Sequence, residues 1–541
     1  MAEQIFDYVV AGAGSAGCVL AHRLVKAGHR VLLLEAGPAD DSRFVQMPAT
    51  FVRVIGTERT WMYETEVQPA AAGRRLVVPQ GRTLGGGSSV NAMVYIRGQP
   101  QDYDGWAAQG CAGWGWADVL PVFRRAEGNQ RLSGPWHGVD GPMKVSDTRH
   151  RHPLSLAFVK AAQETGLAYN DDFNGAGQAG VGFYQTTTSE GARASTAATY
   201  LAAVRGDERL TVLTGAHVLR LRVEAGAVQG LVYRRGNEEV SVQARREVVL
   251  AAGALASPKL LMLSGIGPGA ALQRLGIAVQ RDLPGVGGNY HDHLEVGVYA
   301  RARQPISLTG QDRGLAALRH GVQWLTTRTG LLTSNVVECG GFADTAGEGR
   351  ADVQFHVLPA LVGDVDREPI AGHGLTINPC FLRPRSRGSV TLSSADPMVP
   401  IVFDGHYLEA QADVDTLVRG VRLARRILRA PSLQAVVSGE LEPASGDDPG
   451  DEALEAYVRR RAKTVYHPSG TCRMGVDGGA VVDPELRVHG IARLRVCDAS
   501  VMPVLPSGNT NAPVVMIAER CAEFVLRDAE RGRVTPAAAA L

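Results

Sequence analysis

The sequence predicts an α/β fold, α+β overall, and three observations predict it. The first is the opening stretch. Asp7-Tyr-Val-Val-Ala-Gly12-Ala-Gly14-Ser-Ala-Gly17-Cys-Val-Leu-Ala-His-Arg-Leu reads as a short apolar strand, a glycine turn and an apolar-striped helix, and Arg30-Val-Leu-Leu-Leu-Glu35 follows as a second strand. The second is Val248-Val-Leu-Ala-Ala-Gly253, whose unbroken apolar run suits a parallel strand buried on both faces. The third is a change of pattern from about residue 295, where strand-like alternation mixes with helices around 314–327 and 408–430. The opening βαβ makes the N-terminal unit Rossmann-like, and the change of pattern marks a second unit.

Each part of the opening has a physical task. Gly12 allows a tight turn, Gly14 lets backbone approach a pyrophosphate, and Gly17 lets the helix pack close on the sheet. The helix start, at Ser15 and Ala16, offers unpaired N–H groups and a positive dipole end to phosphates. Glu35, followed by Ala36, ends the second strand about 20 residues past the glycines, where a carboxylate binds ribose hydroxyls. A lone GxGxxG is weak evidence. Here the strand before it, the helix after it and the terminal acid agree on dinucleotide binding, without separating NAD from FAD.

Length and charge bound the rest. A chain of 541 residues can bury a large core and divide into two domains, one of them discontinuous. Lys+Arg of 56 against Asp+Glu of 55 leaves no net field, so neither nucleic acid nor an anionic membrane is implied as a partner. The cysteines at 18, 111, 339, 380, 472, 497 and 521 are an odd, scattered set without CxxC, as expected of reduced thiols in a cytoplasmic protein. The start runs straight into the cofactor strand, which argues against a signal peptide, and no run of about 18 apolar residues suggests a membrane span.

Further along, Gly81-Arg-Thr-Leu84-Gly-Gly-Gly87-Ser-Ser89-Val-Asn91-Ala-Met-Val-Tyr95-Ile-Arg-Gly98 places three glycines before two serines. Such a run disfavours a strand or helix interior and suits a loop whose backbone N–H groups face something electron-rich. An amphipathic helix is expected over 150–165 and strands at 210–213 and 216–221. A meander follows, from Gln229 to Tyr233 and Val240 to Gln243, leading into the run at Val248. The basic amphipathic stretch 420–428 reads as a solvated helix face, and 527–541 as a frayed tail.

With these residues in view, the chain resembles the glucose–methanol–choline oxidoreductases, a family of FAD-dependent enzymes. Gly81 to Gly98, with the GxGxxG, is similar to the family's first signature. Gly253-Ala-Leu-Ala-Ser257-Pro-Lys-Leu-Leu-Met-Leu-Ser264-Gly-Ile-Gly267 is similar to the second. Tyr466-His467-Pro-Ser-Gly-Thr-Cys-Arg-Met-Gly475, Asp498-Ala-Ser500 and Asn509-Thr-Asn511-Ala-Pro513 resemble its C-terminal motifs. The resemblance implies an FAD-binding domain from 1–150, 195–295 and 460–530. It implies a substrate domain from 151–194 and 296–459, with an antiparallel sheet roofing the flavin, and a tail at 531–541. The cofactor-binding set it implies is Gly12, Gly14, Ser15, Ala16, Gly17, Glu35 and Ala36; Arg82, Leu84, Gly86, Gly87, Ser88, Asn91, Ala92, Met93 and Val94; Val218; Ala252 and Gly253; and Asp498, Ala499, Asn511, Ala512 and Pro513. Some members link FAD covalently through a histidine where this chain has Val90, so noncovalent FAD is expected here.

The activity implied is oxidation of an alcohol, a primary one to its aldehyde, with oxygen or another acceptor taking the electrons. The reaction needs a base for the hydroxyl proton. His467, held between an aromatic and a proline, is the candidate base, with Asn511 orienting the substrate oxygen and Tyr466 beside the substrate. His291 and His293 could suggest a metal pair, but no third ligand has suitable spacing and no metal is expected. Glu338 lies in a segment similar to one where choline-oxidising relatives hold a trimethylammonium head, but two valines precede it where a cage wants aromatics. The alternative activity is that of the family's FAD-containing hydroxynitrile lyases. The substrate, the oligomeric state and the choice between oxidase and dehydrogenase stay open at this point.

Overall fold

The computed structural model describes residues 4–363, 370–443 and 449–532. The opening βαβ forms as read: strand Gln4–Ala11, helix α1 (Ser15–Lys26) and strand Val31–Leu34. The two strands are parallel, with Tyr8 opposite Val31 and Ala11 opposite Leu34. Gly12 turns the chain at φ +105°, and a Cβ there would lie 2.4 Å from the Ala251 carbonyl oxygen. Only glycine allows both the turn and that approach.

Strand Glu238–Leu250 is the spine of a seven-stranded sheet. Its first half pairs antiparallel with Ala227–Arg235, its last residues pair parallel with Leu494–Val496, and its other edge runs parallel to Gln4–Ala11. Val248, Val249 and Leu250 are wholly buried, which is why that end of the strand carries an unbroken apolar run. Leu210–Leu213 and Ala216–Glu224 close the two edges.

A second, eight-stranded sheet covers the first unit's cavity. Its order is Val437–Glu442, Val298–Ala302, Gly374–Phe381, Val353–Leu358, Cys339–Ala343 and Gly180–Phe183, antiparallel throughout, with Leu294–Glu295 and Lys463–Thr464 paired alongside. Strands Val353–Leu358 and Gly374–Phe381 are buried at every residue. Helix Pro153–Glu164 and the long helix Gln411–Leu428 pack on the sheet, and Leu154, Phe158, Phe355, Leu417 and Val421 share its core. The helix expected near 314–327 is Gly314–Thr327, called α2 below; Gln411–Leu428 is α3, and the last helix, Asn511–Glu530, is α4.

Three features differ from the sequence reading, and a fourth lies largely outside the described residues. Leu294–Glu295 and Lys463–Thr464 belong to the roof sheet, so that sheet crosses the expected boundaries at 295 and 460. Leu76 and Val78, from the N-terminal segment, also join the roof's core. The basic stretch 420–428 is not all solvated: Arg425 is buried and donates to Glu440 at 2.7 Å. The expected tail falls largely outside the described residues, because α4 ends at Glu530 and the description at 532.

Candidate active site

A cavity of about 590 Å³ runs between the two sheets. Its floor is built from backbone. Gly12, Gly14, Ser15 and Ala16 line one end, Glu35, Ala36 and Val218 flank it, and Gly86, Gly87 and Asn91 to Val94 form the opposite bank with Gly253. Gly86 sits at φ +50° against the first turn, where a Cβ would come within 2.6 Å of the Gly14 Cα. Two glycine turns therefore touch main chain to main chain. At Gly14 itself a Cβ would find no atom closer than 3.9 Å, and at Gly87 and Gly253 none within 4 Å, so these three leave a channel free of side chains. The starts of α1 and α4 converge on it, tied by the Ser15 hydroxyl donating to Asn511 Oδ1 at 2.8 Å. Two sets of free N–H groups and two positive dipole ends therefore face one elongated channel, which fits a dinucleotide's phosphates.

Glu35 accepts from Ala13 N–H at 3.1 Å and Gly37 N–H at 2.9 Å, so it braces the glycine turn as well as lining the cavity. Burial pushes its carboxyl up to about 7 despite those hydrogen bonds. Asp498 accepts from Gly253 N–H, the Ser257 hydroxyl and Ser500 N–H at 2.9, 2.6 and 2.8 Å, fixing the turn at Gly253 beside the channel.

The chemistry sits under the roof. Tyr466 lies in the left-handed region at φ +67°, a costly conformation for a bulky residue, and it aims the next side chain. The His467 N–H donates to Asp292 Oδ1 at 2.8 Å, and the Asp292 carboxylate also accepts the hydroxyls of Thr464, Tyr290 and Tyr407. The rings of His467 and His293 meet Nδ1 to Nδ1 at 3.0 Å, and His293 Nε2 lies 3.0 Å from the Leu382 carbonyl oxygen. A carbonyl can only accept, so His293 Nε2 carries a hydrogen. Burial pushes the His293 pKa down to about 3, so the ring is neutral and its Nδ1 is a lone pair. His467 Nδ1 must then donate. Its Nε2 is left with a bare lone pair, and burial, with the His293 and His356 rings nearby, holds His467 well below its usual pKa.

The roof also presents polar side chains to the cavity that His467 lines. His356 Nδ1 is 2.9 Å from Glu295 Oε2, and Lys463 Nζ is 3.5 Å from Glu295 Oε1. Asn378 stands directly across from His356 on the neighbouring strand, and both line the cavity. Asn509, just ahead of α4, accepts from Gln354 Nε2 at 3.0 Å and also lines the cavity.

Models of the GMC oxidoreductase N- and C-terminal regions match residues 6–295 and 384–518. The chain belongs to the GMC oxidoreductases. It is 43% identical over 533 residues to an alcohol dehydrogenase [acceptor] of Pseudomonas putida, covering 97% of this chain and 96% of that one. It is 41% identical to the mitochondrial choline dehydrogenase of Homo sapiens, covering 96% and 89%. Among solved structures, pyridoxine 4-oxidase from Mesorbium loti superposes with a TM-score of 0.87 at 32% identity, covering 96% of this chain and 98% of that one.

The residues expected from the GMC motifs differ in how they stand to the cavity. Gly17, Arg82, Leu84, Ser88, Ala512 and Pro513 do not line the cavity. A Cβ on Gly17 would strike the Gly12 carbonyl, Leu84 belongs to the first core, and the Ser88 hydroxyl bonds Gly85 within the loop and Thr196 beyond it. Arg82 stacks 4.5 Å above the ring of Trp61, which is itself in the wall. Asn511 lines the cavity and accepts the Ser15 hydroxyl; Asn509, two residues earlier, also lines it and is tied to the roof through Gln354. Glu338 is no cation site. It is buried away from the cavity, and although burial raises its pKa, His150, the His152 N–H and Ser334 outweigh that and hold it low. On the roof side the carboxylate that lines the cavity is Glu295. The sequence reading missed Glu295, His356, Lys463 and Asn378, and weighed His293 only as a metal ligand; the Tyr-His-Asp-His run at 290–293 was the one available signal.

Proposed function

We propose that the chain is an FAD-dependent oxidase or dehydrogenase acting on the CH–OH group of an alcohol, a primary one giving its aldehyde. The observation that carries the reading is the bare Nε2 of His467, held in one tautomer by His293 at the wall of a dinucleotide-shaped cavity. The glycine channel between α1 and α4 would hold the pyrophosphate, Glu35 a ribose, and the bank from Gly86 to Val94 the rest of the group. When bound, FAD supplies the acceptor for the hydride leaving the carbinol carbon, and passes the electrons on to oxygen or another acceptor.

The chain's own residues manage the proton. The substrate hydroxyl donates to His467 Nε2, and its proton is taken there as the C–H bond breaks. The imidazolium that results keeps its Nδ1–H bond to His293, so the ring does not turn during the step. The amides of Asn509 and Asn511 are the neutral groups on the adjoining loop that could donate to the substrate oxygen without competing for its proton. Val90, in the wall, has no nucleophile, which supports noncovalent FAD. Glu295 is already matched by Lys463 and His356, which argues against a quaternary ammonium substrate such as choline. The hydroxynitrile lyase alternative draws no support from the relatives, which are named as dehydrogenases and an oxidase. Seven buried, unpaired cysteines support a cytoplasmic location.

The test is an anaerobic panel of alcohols scored by bleaching of the bound yellow chromophore, followed by admission of air. Bleaching by a primary alcohol, with aldehyde recovered in equal amount, is the expected result. A colourless protein, or a yellow one that no alcohol bleaches, would overturn the reading.

A further inference from the structure

Helix α2 is amphipathic on the wrong side for a water-facing helix. Its inner face is seated by Trp324, whose Nε1 donates to the Gly191 carbonyl at 2.7 Å, and by His320, 3.0 Å from Gln311 Oε1. Its outer face carries Leu315, Leu318, Val322 and Leu325, exposed by 85%, 63%, 52% and 52%. The spacing of three, four and three residues puts all four on one stripe about 80° wide at 100° per residue. Singly exposed leucines are ordinary; a full-length stripe of them is not.

The charge around the stripe is one-sided. Residues 313–337 contain three arginines and no acid. Arg313 stands at the helix start, Arg319 beside the stripe and Arg328 at the helix end, where its guanidinium stacks 3.6 Å over Trp324. Asp312 is the acid at the helix start, bound by Arg53 at 3.1 Å and 3.8 Å from Arg313. Arg53 closes the short segment Pro48–Arg53, whose Phe51 and Val52 line the cavity, and Val52 is itself half exposed. The leucine stripe, its arginines and the cavity wall therefore occupy neighbouring surface.

We propose that α2 is an interfacial helix that lies flat on an anionic phospholipid surface, its leucine stripe among the upper acyl chains and its arginines at the phosphates. A leucine face between basic residues, with no helix among the described residues long and apolar enough to cross a membrane, is the pattern of a helix that lies on a bilayer and does not span it. The net charge of +1 gives the whole molecule no pull toward such a surface; the attraction is local to this patch. Docking in this way would turn the wall at Phe51 and Val52 toward the bilayer, where apolar alcohols or a lipid-soluble acceptor concentrate.

The experiment is flotation of the purified full-length protein with vesicles of phosphatidylcholine alone or with one-third phosphatidylglycerol. Wild type should float with the anionic vesicles and much less with the neutral ones. Leu318→Glu with Leu325→Glu should weaken flotation on the order of 10-fold or more, while cofactor content and reduction by a water-soluble alcohol stay at wild-type levels. Arg319→Glu with Arg328→Glu, which leaves the stripe intact, should remove the preference for anionic vesicles. Wild type remaining unbound to either vesicle, or the leucine variant floating like wild type, would overturn the proposal. So would sedimentation showing a wild-type dimer that the leucine variant dissociates, because the stripe would then be covered by a second copy.

Discussion

The floor and the roof of the cavity are built from different materials. The floor is main chain: glycine turns at 12–14 and 85–87 touch each other, and two helix starts point N–H groups into the space between. The roof is side chain: His467, His293, Glu295, His356, Lys463 and Asn378 come from four separated segments that only the antiparallel sheet brings together. A floor made of backbone keeps its channel clear of side chains and is indifferent to substrate. A roof made of side chains can be rewritten residue by residue without disturbing the floor, which is how one fold can serve several alcohols.

The widest separation between the two should come from Gly14→Val. Its Cβ meets no atom of the chain closer than 3.9 Å, so the fold survives, yet the side chain fills the channel. The variant should purify folded and nearly free of flavin, whereas roof variants should stay yellow. Wild-type flavin content in Gly14→Val, read by absorbance after denaturation, would mean the phosphates lie elsewhere.

Next in size is His467→Ala, expected to slow anaerobic flavin reduction by roughly 10²–10⁴-fold, the usual worth of a general base, with FAD retained. His293→Leu sharpens the point, because it leaves the base in place and removes the group that sets its tautomer. A loss on the order of 10–100-fold is expected, less than the loss of the base itself. Stopped-flow reduction would measure both. If His293→Leu matched wild type, the imidazole would be choosing its own tautomer and the pair would be packing only.

This contrast also explains what could be read from the chain before folding. The floor was legible because its rule is local: a strand, GxGxxG, a helix and an acid within some thirty residues, each forced by a backbone clash such as the one at Gly12. His467 was legible through its motif. Its partner was not, because His293 is 174 residues away and reaches it only through the pairing of Leu294–Glu295 with Lys463–Thr464. Asn509 and Asn511 show the limit of the motif itself. Two residues apart at a helix start, both line the cavity, and only the folded chain ties one to Gln354 in the roof and the other to Ser15 at the start of α1.

That pair supplies a smaller test. Asn509→Ala should lower the rate of reduction on the order of 10-fold or more with little change in FAD affinity, as one polar contact near the reacting oxygen goes. Asn511→Ala should act mainly on FAD affinity, because its bond to Ser15 holds the two helix starts together. The reverse pattern in flavin titration and stopped-flow reduction would restore Asn511 as the substrate's partner.

The smallest effect concerns pH. An ordinary histidine base would lose activity as pH falls through about 6.5. His467 is held well below that by burial and by the His293 and His356 rings, so it stays neutral and the reduction rate should not bend there. The group that does titrate within reach is Asp292, which burial raises to about 6 and whose carboxylate holds the His467 main chain. Above that value Asp292 is an anion and favours the imidazolium forming on His467; below it the carboxyl is neutral and that support is gone. Any fall in rate should therefore centre near 6 and level off, with a loss of no more than about 10-fold, because a screened charge and not the base itself is being titrated. Asp292→Asn should give the lower rate at every pH, with no inflection. If instead the wild-type rate drops about 10-fold per pH unit below 6.5, and Asp292→Asn keeps that slope, His467 titrates like a solvated histidine and the neutral pair under the roof is wrong.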